Sequence, residues 1–321
     1  MDNPKILITS GDPNSISPEI ILKVFATNIT KKYNLKVIGE KSVFDYYARH
    51  LSLPEIRDEF LVPLDYKNFK VKLGKITATG GEMSGDAIKK AIFLCRERVF
   101  DAVVTMPVSK EALTLGGYKF RGHTEMLSRL LNTRPVVMIM YSKRLIVIPL
   151  TIHIPLKKVA GIISAEFLIL QMKLLYKILQ TELYINHPQV AVLSLNPHSG
   201  DNGLIGTEEV EIITPVISGI KKLGYNFSGP YSADGFFGNK KYFNFDAVIC
   251  FYHDQAMIPF KIIAGNKGVN YTGGLPIVRT SPAHGTAFDI AGKGIAKIES
   301  TVEAIKLAHK LAKRRYYDKN R

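Results

Sequence analysis

Five of the eight histidines sit where they could do chemistry. His123 lies in Gly122-His123-Thr124-Glu125, His153 in Thr151-Ile152-His153-Ile154-Pro155, and His198 in Asn196-Pro197-His198-Ser199-Gly200. His253 lies in Phe251-Tyr252-His253-Asp254-Gln255, and His284 in Ala283-His284-Gly285-Thr286. His153, His198 and His253 fall at or just after the carboxyl end of an expected strand, the edge where open α/β sheets bind ligands. Three imidazoles converging from separate strands would make a divalent-metal site with open positions. The competing reading is that each merely caps or fills its loop, since no His-Glu-x-x-His signature ties them together locally. Lys261 follows His253 on what reads as one helical stretch, and Asn270 and Arg279 lie on or beside the next two strands. A planar guanidinium and a compact ammonium there could clamp a small doubly anionic substrate; the alternative is ordinary solvated strand-end charge.

Two glycine-bearing stretches, Ser10-Gly11-Asp12-Pro13 and Gly80-Gly81-Glu82-Met83-Ser84-Gly85, fail the Gly-x-Gly-x-x-Gly pattern, and no Walker-type loop is present. Any nucleotide must therefore be held without a Rossmann fingerprint.

Short β-branched runs alternate with segments of helical period, the pattern of an α/β protein with a largely parallel sheet. Expected strands are Lys5–Thr9, Leu35–Ile38, Ala102–Thr105, Val136–Tyr141, Leu145–Leu150, Val190–Ser194, Ala247–Phe251 and Val269–Thr272. Ser17-Pro18-Glu19 reads as an N-cap, a first-turn proline and an acidic residue at a helix start. Thr207-Glu208-Glu209 opens another helix, which runs to Leu223-Gly224, and the apolar stripe from Ala87 to Leu94 predicts a helix over about Asp86 to Arg98. Val136–Leu150, broken by Ser142-Lys143-Arg144, reads as an antiparallel hairpin. A domain change is expected near residue 130, where the alternation gives way to the hairpin: 1–130 with 285–321 as one α/β domain and 131–284 as the other, the last helix (Ser300–Lys313) returning to the first.

Composition narrows the functions. At 321 residues and 46% apolar content the chain is neither disordered nor fibrous. Its formal charge of +15 and pI near 9.6 favour anionic partners. The charge is diffuse apart from Lys310 to Arg321, and without a nucleic-acid-binding signature a solvated terminal face accounts for that run, so nucleic acid is not an expected partner. Cys95 and Cys250 sit in apolar runs, as small buried hydrophobes of a reducing compartment do. No segment reaches the roughly 18 apolar residues of a membrane span, and the start of the chain leaves no room for a signal peptide; the cytoplasm is the expected location.

Taken together the motifs resemble the 4-hydroxythreonine-4-phosphate dehydrogenase family of vitamin B6 (pyridoxal phosphate) biosynthesis. The most specific are Gly122-His123-Thr124-Glu125, Leu195-Asn196-Pro197-His198-Ser199-Gly200 with Gly206-Thr207-Glu208-Glu209, and Tyr252-His253-Asp254-Gln255. Gly268-Val269-Asn270, Gly274-Leu275-Pro276 with Arg279-Thr280-Ser281, and His284-Gly285-Thr286-Ala287 complete the set. The resemblance implies a fold like that of isocitrate and isopropylmalate dehydrogenases, with a cleft between two α/β/α domains, and a homodimer whose active site lies at the subunit interface. It implies that His153, His198 and His253 bind one divalent metal (zinc, magnesium or cobalt) shared between partners. It also implies that His123, Thr124, Lys261, Asn270 and Arg279 bind a phosphorylated hydroxy-amino-acid substrate. His284, Gly285, Thr286, Ala287 and Asp289 look like the adenosine loop that holds NAD or NADP in the related dehydrogenases. Where relatives usually carry Ala-Gly-Ile-Gly-Pro after the first strand, this chain has Asn14-Ser15-Ile16-Ser17-Pro18, which could crowd a close backbone approach.

The implied reaction oxidises the C3 hydroxyl of 4-phosphooxy-L-threonine, with Lys261 or Asp254 as base, and the resulting β-keto acid loses carbon dioxide to give 3-amino-2-oxopropyl phosphate. A sibling dehydrogenase of 4-phosphothreonate or 4-phosphoerythronate is the nearest alternative. A metal-dependent phosphate-ester hydrolase or acyl-phosphate transferase is the alternative of a different class.

Overall fold

The computed structural model describes residues 3–318 except 67–68, 121–122 and 134, and leaves the side chains of 123–124 undescribed. The chain forms two compact units, Met1–Val136 with Val269–Arg321, and Val137–Gly268.

In the first unit the strands are β1 (Lys5–Thr9), β2 (Asn34–Gly39), β3 (Leu61–Pro63) and β4 (Ala102–Val104), joined later by two strands that return from the second unit. The helices are α1 (Ser17–Phe25), α2 (Ile29–Lys32), α3 (Lys41–Leu51), α4 (Ala78–Arg96), α5 (Lys110–Leu115) and α6 (His123–Leu130). The second unit holds β5 (Val137–Tyr141), β6 (Ile146–Pro149), β7 (Val190–Leu193), β8 (Phe227–Tyr231) and β9 (Ala247–Cys250), with α7 (Ala165–Thr181), α8 (Thr214–Lys222), α9 (Ala233–Gly238) and α10 (His253–Ala264). The chain then re-enters the first unit as β10 (Val269–Gly273), β11 (Val278–Pro282) and α11 (Glu299–Tyr316).

The first unit's sheet runs β3-β2-β1-β4-β11-β10. It is parallel except for the β10–β11 hairpin. That hairpin moves the expected return from residue 285 back to Val269, because β11 pairs parallel with β4 and draws β10 with it. The second unit runs β5-β6-β9-β7-β8. Only the β5–β6 hairpin is antiparallel there, and its turn is held by the Ser142 hydroxyl, which accepts the Arg144 and Leu145 N–H groups.

Packing follows periodicity. Ala87, Ile88, Ala91 and Ile92 of α4 are buried in one cluster with Leu7 of β1 and Val103 of β4, each large apolar side chain contributing about 1.5–3 kcal/mol. The helix begins eight residues before the expected Asp86, capped by the Thr77 hydroxyl, so Gly80 to Gly85 are helical rather than loop. These glycines permit close packing: a Cβ at Gly81 would lie 1.7 Å from the Ala112 carbonyl oxygen, and one at Gly85 would meet the Tyr118 ring. Ser17 is the first residue of α1 and not its cap; its hydroxyl faces the Pro107 carbonyl. The segment opened by Thr207 starts with one π turn, Glu209–Ile213, ahead of α8, which carries Pro215 in its first turn. Among the described residues no single helix is long and apolar enough to cross a membrane.

Candidate active site

In the second unit three adjacent strands deliver the candidate ligands to one edge. Parallel pairing of β6 with β9 and of β9 with β7 aligns their carboxyl ends. Beyond the strands the pairing continues as hydrogen bonds: Leu150 N–H donates to Cys250 O, and Thr151 donates through both N–H and hydroxyl to Phe251 O. Gln255 joins the third strand, accepting the Phe251 N–H at 2.7 Å and donating to Ser194 O at 2.7 Å.

This lacing sets His153 beside His253, with ring centroids 6.2 Å apart. Both rings line an open cavity of about 360 Å³, together with Thr151, Asp254 and the apolar Ile154 and Leu156. His253 Nδ1 is bonded to Asp254 Oδ1 at 2.6 Å. That contact engages Nδ1 and leaves Nε2 as the ring nitrogen that could ligate, the arrangement in which a carboxylate orients a ligating imidazole.

His198 sits in the loop after β7 and does not join this pair. Among the described residues, no group of three or more His, Cys, Asp or Glu side chains gathers as a metal site within one chain. Within one chain, then, His153 and His253 come together and His198 lies apart from them, near Asp234. Asp234, fully exposed, is held below the usual carboxylate range by the Ser232 hydroxyl and the Gly235 N–H, with a smaller pull from His198. Asp234 escaped the sequence reading, since Ser232-Ala233-Asp234 carries no spacing that ties it to a histidine. Lys261, exposed on α10, is seven residues from Asp254 and so lies two turns along the same helical face.

In the first unit Arg279 is 1% exposed on β11. Its Nε and Nη2 donate to Thr105 Oγ1 at 2.9 and 2.6 Å, and Nη1 donates to Thr272 Oγ1 at 2.9 Å. Among the described residues no carboxylate pairs with it, and burial pulls its pKa down to about 9. Thr105 and Thr272 were missed by the sequence reading, although strand alternation puts Asn270 and Thr272 on one face. Asn270 Oδ1 is buried without a partner among the described residues. The side chains of His123 and Thr124, and Gly122, lie outside the described residues.

The candidate cofactor loop also belongs to the first unit. Thr286 O accepts the Ile16 N–H, Gly292 O is bonded to His50 Nε2 at 3.0 Å, and Ala287 takes the left-handed φ of 41° ahead of the turn Phe288–Ile290, which includes exposed Asp289. His284 Nδ1 contacts Gly285 O, its buried Nε2 has no partner among the described residues, and burial lowers its pKa.

The mixed α/β fold, with candidate ligating side chains at strand carboxyl ends, is that of 4-hydroxythreonine-4-phosphate dehydrogenases of known structure. The profile of the family "Pyridoxal phosphate biosynthetic protein PdxA" matches residues 6–308. The chain is 38% identical to 4-hydroxythreonine-4-phosphate dehydrogenase of Bacteroides thetaiotaomicron, covering 98% of this chain and 90% of that one. It is 35% identical to D-threonate 4-phosphate dehydrogenase of Pectobacterium atrosepticum, covering 96% and 99%. The crystal structure of 4-hydroxythreonine-4-phosphate dehydrogenase from Klebsiella pneumoniae superposes with a TM-score of 0.82 at 32% identity, covering 97% and 98%. The chain belongs to the PdxA family, dehydrogenases of pyridoxal phosphate biosynthesis whose activity implies a nicotinamide cofactor. Membership sets aside the hydrolase and acyl-phosphate transferase readings.

Proposed function

We propose that the chain oxidises the C3 hydroxyl of 4-phosphooxy-L-threonine, passing hydride to NAD or NADP. The product, 2-amino-3-oxo-4-phosphooxybutanoate, is a β-keto acid; loss of carbon dioxide from it yields 3-amino-2-oxopropyl phosphate. The observation that carries this reading is Arg279, a buried cation with no carboxylate of its own among the described residues. Its guanidinium is oriented by two threonines, and an external anion, phosphate or carboxylate, is the partner its charge calls for. Asn270, His123 and Thr124 are assigned to the same substrate.

His153 and His253 fit a divalent cation as two imidazole donors, and we assign the third to the partner subunit's His198. Exposed apolar side chains near these residues in the chain support a dimer contact there: Leu204 is 85% exposed just after the His198 loop, and Ile262 is 76% exposed next to Lys261. An all-imidazole set suits zinc better than magnesium, which prefers oxygen donors. A cation bound there supplies a Lewis acid for the alcohol and for the carbonyl that replaces it. Asp254 is engaged with His253, so Lys261 is the base assigned to the hydroxyl proton. His284, Gly285, Thr286, Ala287 and Asp289 would hold the dinucleotide.

The 35% relative that acts on D-threonate 4-phosphate favours a second substrate, which lacks the amino group. The test is NAD(P)H formation by metal-replete protein from each phosphorylated acid, in wild type and His198→Ala. Preference for the amino acid supports the proposal, preference for the threonate supports the sibling, and no reduced cofactor from either overturns both. Sedimentation of Ile262→Glu tests the interface, with a monomer of weakened metal affinity expected.

A further inference from the structure

The loop that presents His198 has an unusual backbone. His198, Ser199, Gly200, Asp201 and Asn202 have φ values of 49°, 55°, 76°, 43° and 53°, a left-handed run in which only one residue is glycine. L-residues avoid that region because Cβ crowds the following carbonyl, so the surroundings must impose the conformation. At the centre of those surroundings stands Glu209, 2% exposed. Its Oε1 accepts the N–H groups of Leu195 and Asn196, both at 2.8 Å, and its Oε2 accepts Asn196 Nδ2 at 2.9 Å. Glu208 Oε2 accepts the same amide nitrogen at 2.7 Å. The loop also packs closely on this carboxylate and its partner amide: a Cβ on Gly200 would lie 2.8 Å from Glu209 Oε2, and one on Gly206 would lie 2.4 Å from Asn196 Nδ2. Ile205 N–H closes the turn on Gly200 O at 3.0 Å.

We propose that Glu209 is a positioning residue for His198: its carboxylate is the template on which the loop folds left-handed and aims the imidazole as a metal ligand. This inference rests on the metal reading given under Proposed function. The chemistry needs a carboxylate. Three N–H groups converge on its two oxygens, and a glutamine would turn an amide NH₂ toward one set of them, donor against donor. Aspartate, one methylene shorter, would not span the gap.

Titration of metal-free protein with Co²⁺, followed by its visible absorption and by calorimetry, tests the claim without turnover. Glu209→Gln is expected to bind Co²⁺ at least 10-fold more weakly and with an altered spectrum, while its affinity for NADH stays within twofold of wild type. A merely stabilising role would lower the melting temperature and leave Co²⁺ affinity intact below it. If Glu209→Gln does not fold, Asn196→Ala removes the facing amide and is expected to weaken Co²⁺ about 3- to 10-fold. Wild-type affinity and spectrum in whichever of the two variants folds would overturn the proposal. If wild type itself binds no Co²⁺, the metal reading falls first and this inference falls with it, a result distinct from binding that the variants leave unchanged.

Discussion

Glu19 and Lys23, one turn apart on α1, lie 2.7 Å from each other and between them grip both polar faces of one loop segment. Glu19 accepts the N–H groups of Gly294 and Ala296, and Lys23 donates to the carbonyl oxygens of the same two residues. The segment directly follows the candidate cofactor loop, so this pair fixes the loop's C-terminal anchor. Glu19→Gln keeps the shape but strands a partly buried ammonium and weakens charge-assisted bonds. The expected loss is about 2–3 kcal/mol in urea unfolding, with an NADH dissociation constant raised several-fold and substrate KM unchanged. Equal NADH affinity in the variant would detach the pair from cofactor binding.

Asp12 makes stability depend on pH. It is fully buried in the β1–α1 loop; Oδ1 accepts the Asn14 N–H, Oδ2 has no partner among the described residues, and burial raises its pKa from 3.8 to about 6. The folded state therefore holds this proton more tightly than the unfolded state does. Stability falls as pH rises from about 4 through 6 and levels off above, with Asp12 contributing a loss of up to about 3 kcal/mol. Asp12→Asn is expected to flatten that part of a pH series of urea midpoints. An unchanged series would show that the carboxyl is not the titrating group.

Much of this architecture could be read from the residues. The eight expected strands all form, each end within one residue of its expected place. Three others were hidden for separate reasons. β3 is only three residues long and ends in Pro63, β8 carries Gly229 and Pro230 in a five-residue run, and β11 spends its middle on Arg279, Thr280 and Ser281. Glycine and proline mask a strand's propensity, and a polar strand that serves a site lacks the apolar signature of its neighbours. The histidine positions were legible because strand carboxyl ends are. Whether their rings meet was not, since that depends on where the left-handed loop carries His198.

Arg279 separates binding from stability. A buried guanidinium without a carboxylate is costly to the fold, so Arg279→Met, similar in length and apolar, is expected to unfold at the same or a higher urea concentration. Its kcat/KM for the phosphorylated substrate is expected to fall about 100-fold or more, chiefly through KM. Wild type should gain thermal stability in substrate or inorganic phosphate and the variant should not. A phosphate-induced shift that survives in Arg279→Met would place the anion elsewhere.

Asn14, Ser15 and Ser17, the residues expected to crowd the loop after β1, are bonded rather than crowded. Asn14 Oδ1 accepts the Lys72 N–H at 2.7 Å, and its Nδ2 donates at 3.0 Å to Thr77 Oγ1, the hydroxyl that caps α4. Ser15 Oγ donates to Asp12 O at 2.7 Å and accepts the Ser17 N–H at 3.1 Å. Side-chain bonds from Asn14 thus tie the loop to the segment before α4. Asn14→Ala leaves the Lys72 N–H without its partner and is expected to cost about 2 kcal/mol. Amide hydrogen exchange should quicken at Lys72 and Gly80 while residues of the second unit keep their protection. Uniform loss of protection across the chain would mean that Asn14 supports the whole fold and not this loop alone.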